Sequence, residues 1–73
     1  MLTFEYDADS ILEITFDADG LKDLMDILSK LQQGDHDHLS THSWGGYPLT
    51  EDFPNPDLTP IHQVTVQYVG DEA

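Results

Sequence analysis

His36 and His38 stand two residues apart in the run Gly34-Asp35-His36-Asp37-His38-Leu39. On an extended strand that spacing puts both imidazoles on one face. Imidazole and carboxylate suit zinc, and Asp35, Asp37, His42 and His62 are candidates for further ligands. The spacing names no third or fourth ligand, so a metal-binding or regulatory module on His36 and His38 is an alternative reading. The main expectation is no metal and no cofactor. Nucleophilic chemistry has less to work with. The chain has no cysteine and no nucleophile-elbow glycine pattern. Gly45-Gly46 lacks the lysine and following Ser or Thr of a phosphate loop. Ser40, Ser43, His42 and Asp37 can be drawn as a triad, but a triad is defined by geometry. A short chain rich in Ser, His and Asp produces such sets by chance. No catalytic residue is expected.

The next unusual stretch is Trp44-Gly45-Gly46-Tyr47. Glycines there permit a tight turn that a Cβ would block. Trp44 is expected to cap the end of a helix–sheet core, because a large ring gains most by burial. Large aromatic groups also dominate protein-binding hot spots. Tyr47 and Phe53, both on the irregular segment between Ser43 and Pro60, are the expected partner-binding residues.

Ordinary elements must position these groups. Leu2, Phe4 and Tyr6 alternate with Thr3 and Glu5, and Leu12, Ile14 and Phe16 alternate with Glu13 and Thr15. A period of two marks half-buried strands. The turn cluster Asp7-Ala8-Asp9-Ser10 between them predicts a β-hairpin. Leu21, Leu24, Met25, Leu28 and Leu31 then form one apolar helical stripe, expected to be core. Asp17 or Asp19 can cap this helix, and Gly34 is a natural residue for its C-terminal end. A weaker strand is expected over 36–41, and a last strand over 61–69, with Val64, Val66 and Tyr68 facing the core. Residues 70–73 read as a frayed acidic tail. The irregular segment carries Gly45, Gly46, Pro48, Pro54, Pro56 and Pro60, which argues against a helix or central strand. Its Trp44, Tyr47, Leu49, Phe53 and Leu58 argue against disorder.

The fold class expected is α+β in the order β-β-α-β-β. One helix packs on a four-stranded, mainly antiparallel sheet. The outer sheet face would show Thr3, Glu5, Glu13, Thr15, His36, His38, Ser40, Gln63, Thr65 and Gln67. A chain of 73 residues is expected to form a single domain over residues 1–73 with a marginal core.

Charge is the strongest compositional fact. Fifteen Asp and Glu face two Lys, for a formal net charge of −13. Nucleic acid and anionic membranes need positive charge to meet their phosphates, so neither is expected as a partner. A basic protein surface is the natural complement. The opening Met1-Leu2-Thr3-Phe4-Glu5 has neither the basic region nor the apolar run of a signal peptide, and a cytoplasmic location is expected.

Gly34-Asp35-His36-Asp37-His38-Leu39, followed by Ser43-Trp44-Gly45-Gly46 and Leu49-Thr50, resembles the immunity protein 32 family of bacteria. The resemblance implies a small α+β protein that neutralises a toxin of a polymorphic toxin system. The reading that follows is an acidic, non-catalytic binding protein with a cognate protein toxin, basic in character, as partner. The alternatives are the metal module and a structural homo-oligomer that pairs sheet faces or edge strands. A homodimer is compatible with the toxin-binding reading.

With few cations to offset fifteen acids, like-charge repulsion opposes the compact state. Raising salt shortens the Debye length from about 30 Å at 0.01 M to about 8 Å at 0.15 M. The melting temperature, followed by circular dichroism, should rise across that range. A flat or falling trend would mean that the acids are already compensated.

Overall fold

The computed structural model describes residues 1–70. The acidic tail expected at 70–73 lies, from residue 71 on, outside the described residues. The chain begins with β1 (Leu2–Tyr6) and β2 (Leu12–Phe16), followed by α1 (Ala18–Lys30) and β3 (His36–Thr41). A short 3-10 turn (His42–Trp44), β4 (Pro48–Leu49), β5 (Thr59–Ile61) and β6 (Gln63–Gln67) complete it. No helix among the described residues is long and apolar enough to cross a membrane.

The hairpin forms as its sequence predicts. Asp7 Oδ1 accepts the N–H groups of Asp9 and Ile11 at 2.9 and 3.0 Å. That bonding folds the turn locally. Ser10 takes a left-handed conformation, φ 67°. Leu2, Phe4 and Tyr6 then lie opposite Phe16, Ile14 and Leu12. Asp17, of the two candidate caps, closes the helix start by accepting the Gly20 N–H at 2.9 Å. Asp17 also pairs with the N-terminal ammonium, which is the main reason its carboxyl stays below the usual range.

The fold class is α+β, but the four strands of one sheet become, among the described residues, six strands in two. One sheet has the order β2-β1-β5 and the other β4-β3-β6. The correction arises at the last strand. Its expected single run is broken at His62: β5 pairs antiparallel with β1, and β6 pairs antiparallel with β3. His62 gives its carbonyl to the Thr41 N–H at 2.9 Å, so the chain passes from one sheet to the other there. A second correction lies inside the irregular segment, where β4 runs parallel to β3. Pro48 opens β4 and Pro60 sits on edge strand β5, the positions where a missing N–H does least harm. Just past β4, Thr50 bonds both backbone groups of Leu2, at 3.0 and 2.9 Å. The sheets are therefore tied together at His62 and at Thr50.

Leu2, Phe4, Leu39 and Leu49 form the buried core, drawn from both sheets, with Leu24, Ile27, Ile61, Val64 and Val66 packed around it. Tyr68, expected to face the core, is exposed. The expected outer face is only partly open. Thr3, Glu5 and Ser40 are buried. The loop after β4 covers Glu5, whose carboxylate accepts the Asn55 N–H at 3.3 Å. Gly46 closes over Ser40; a Cβ on it would fall 2.2 Å from the Ser40 Cβ. Thr3 Oγ1 is buried with no hydrogen-bond partner among the described residues.

The helix is rotated from its expected seat. It presents Gly20, Leu24 and Ile27 to the core, while Met25 is 60% exposed and Leu28 46%. Gly20 explains the rotation. A Cβ there would lie 1.7 Å from the Met1 carbonyl oxygen, so the helix approaches β1 on its glycine side. The apolar arc is wider than this seat can cover, and Leu21, Met25 and Leu28 are left on its outer flank. Nor is Gly34 the helix end, because Leu31 is already the C-cap. Gly34 instead takes φ 89° in the turn before β3 and donates to the Tyr68 carbonyl at 2.8 Å.

Leu39→Ala and Leu49→Ala should each cost about 2–5 kcal/mol in urea unfolding. A loss at Leu49 below about 0.5 kcal/mol, the range of surface changes, would show that β4 does not contribute to the core.

Candidate functional site

The densest cluster of unusual side chains surrounds His62. β3 ends at Thr41, whose hydroxyl shares a 2.9 Å hydrogen bond with His62 Nδ1. The chain then makes the 3-10 turn and closes it at Gly45, φ 74°, whose N–H donates to the His42 carbonyl at 2.9 Å. Only a residue without a Cβ adopts that conformation freely. The turn swings Trp44 outward. Trp44 is therefore not the core cap expected from its size: it is 62% exposed and stacks on His62, ring centroids 5.5 Å apart and planes 5° from parallel. Phe53 meets the same imidazole edge-on at 5.6 Å. His62 is thus contacted by two aromatic rings carried on different parts of the irregular segment.

Glu51 holds these parts together. Its carboxylate accepts the Ser43 N–H and the Ser43 hydroxyl, both at 2.7 Å. These two bonds, led by the hydroxyl, hold the Glu51 carboxyl below the usual range, with help from nearby His62. The Ser43 hydroxyl is thereby committed to a carboxylate rather than an imidazole, and Ser40 is buried. The triad that composition suggests is not assembled.

The two expected anchors are placed apart. Phe53 belongs to the His62 cluster. Tyr47 lies towards the helix and is 64% exposed. The Asp23 carboxylate beside its hydroxyl, aided by burial and the charge of Asp26, raises its pKa. His36 and His38 share a face of β3, rings edge-on at 5.1 Å. His38 Nδ1 is engaged by neutral groups of β6, Thr65 Oγ1 at 2.9 Å and Gln63 Nε2 at 3.3 Å. Among the described residues no set of three or more His, Asp or Glu side chains converges as a cation would need. No pocket opens in the described surface.

Sequence reasoning missed His62 as a centre, treating it only as a spare ligand, and missed Glu51 altogether. Their partners lie 8 to 21 residues away in sequence. No spacing rule signals such contacts. Among the described residues, the one hydroxyl that meets the His62 imidazole, that of Thr41, belongs to a fully buried residue. The cluster presents an exposed Trp44 ring stacked on the His62 imidazole, with Phe53 edge-on to the same imidazole.

A family model described as Immunity protein 32 matches residues 11–63, from the end of the hairpin turn to the first residue of β6. No curated protein and no solved structure matches the chain.

Glu51→Gln should lower the melting temperature at neutral pH although it removes one negative charge. The Glu51 carboxyl titrates below its unfolded value. Its contribution is therefore complete above that unfolded value and disappears as pH falls through the depressed one. The gap between wild type and variant should close over that acidic range. A gap that persists unchanged would show that the charged carboxylate is not what ties Ser43 down.

Proposed function

The chain belongs to the immunity protein 32 family, and on that basis we propose that it is a non-catalytic binding protein that neutralises a bacterial toxin by direct contact. The family match over residues 11–63 carries this reading. The net charge of −13 supports a partner with a basic surface, which long-range attraction would steer into contact. The toxin would be met in the cytoplasm of the producing cell, and its active surface covered rather than chemically altered.

The proposed contact is the segment 43–60, with Phe53 and Tyr47 as anchors. Phe53 is held by His62, and Trp44 extends the same aromatic surface. A ring already held in place loses little freedom on binding, which favours affinity. Tyr47 adds an exposed ring and a hydroxyl beside Asp23.

The test uses the toxin domain encoded by the adjacent gene, in a catalytically dead form. Tyr47→Ala and Phe53→Ala should each weaken binding by roughly thirtyfold or more, the cost of losing a hot-spot aromatic. Gln67→Ala, on exposed β6, should leave affinity unchanged. Wild-type affinity should fall with salt through the association rate. Folded loop variants that bind like wild type would remove the anchors, and a toxin that does not bind at all would remove the reading itself.

A further inference from the structure

The outer flank of the hairpin and helix is apolar and unpartnered. Leu12, Ile14 and Phe16 on β2, with Leu21, Met25 and Leu28 on α1, are all exposed to a third or more; Ile14 stands at 44%. They extend the core rather than the polar surface, because β2 shares the face of Leu2 and Phe4.

Among the described residues β2 is also an open edge, since the sheet order is β2-β1-β5. Leu2 gives both backbone groups to Thr50, so they point away from β2. In an antiparallel ladder this alternates. The residues opposite Leu2, Phe4 and Tyr6 therefore turn their own N–H and C=O outward. These are Phe16, Ile14 and Leu12, the residues with the exposed apolar side chains. Natural edges are guarded by charged side chains, proline or a bulge; β2 has no proline and an unbroken ladder to β1, and Glu13 is its one charge.

We propose that this flank is the interface of a two-fold homodimer, in which β2 pairs antiparallel with β2 of a second copy, Ile14 opposite Ile14. Charge selects that register. Shifted by one step towards the turn, it would set Glu13 against Glu13; shifted towards the helix, Glu13 against Asp17. Centred on Ile14, each Glu13 faces Thr15 and each Leu12 faces Phe16. The outward backbone groups of Leu12, Ile14 and Phe16 then bond one another. The helix flanks with Leu21, Met25 and Leu28 extend the same apolar surface. Like-charge pairs stay out of the centre, and an isologous contact of this kind closes at two copies. The segment 43–60 is not part of it.

Sedimentation equilibrium on the purified chain at micromolar concentration tests this. Wild type should be a dimer, and its dissociation constant should fall as salt screens the repulsion between two copies of net charge −13. Thr15→Glu should raise that constant by about tenfold and Thr15→Lys should lower it, since two cross-strand charge pairs change per dimer. Met25→Ser, at an exposed helix position, should weaken the dimer with circular dichroism unchanged. A monomer at high salt would overturn the proposal. So would a dimer indifferent to both Thr15 changes. Loss of toxin binding in Met25→Ser, with the wild type monomeric, would assign the flank to the toxin instead.

Discussion

Two hydrogen bonds between Thr41 and His62 hold the junction of the two sheets. One is backbone to backbone, the other hydroxyl to ring, and both measure 2.9 Å. They fix the point where the last strand leaves β1 and joins β3. A chain this short cannot fill two separate cores. The sheets must share one, and Leu2 and Phe4 from one side meet Leu39 and Leu49 from the other. The same junction presents the aromatic surface, because Trp44 and Phe53 use the imidazole that the junction has immobilised. Fold and candidate site thus depend on one polar residue, His62.

Local chemistry was legible in the sequence. The hairpin, its Asp7 turn, the Asp17 cap and the existence of the helix all follow from neighbours within a few positions, and all are present. What was not legible depends on distant partners. In the run Thr59 to Gln67 the apolar phase changes between Ile61 and Val64, a signal that is slight in so short a stretch. The backbone bond from Thr41 fixes the division at His62. The helix stripe shows the same limit. Periodicity located the apolar arc, but the buried part of that arc was set by contact between Gly20 and Met1, which no helical wheel contains.

The candidate site divides along the same line. Composition pointed to residues 43–60 because glycines, prolines and rings are concentrated there; Trp44 and Phe53 lie in that segment, and the His62 ring they share lies outside it. Trp44 was assigned to the core because burial is the usual fate of a large ring. A turn that could close only through left-handed Gly45 put it outside. The Glu51 clamp on Ser43 left no trace in composition, since one carboxylate among fifteen acids looks like any other.

The pairing of β1 with β5 has a consequence for how the molecule comes into being. Residue 6 lies opposite residue 59, and residue 2 is bonded to residue 50. β1 therefore has only its hairpin partner until residues 50–61 have been made. An isolated hairpin is marginal in water, and distant contacts repay their loop entropy late. Until Thr59 emerges, the apolar residues of β1 and β2 must be shielded by the helix or by a chaperone. The pairing of β1 with β5 is thus expected among the last steps of folding, because its loop is the longest to close.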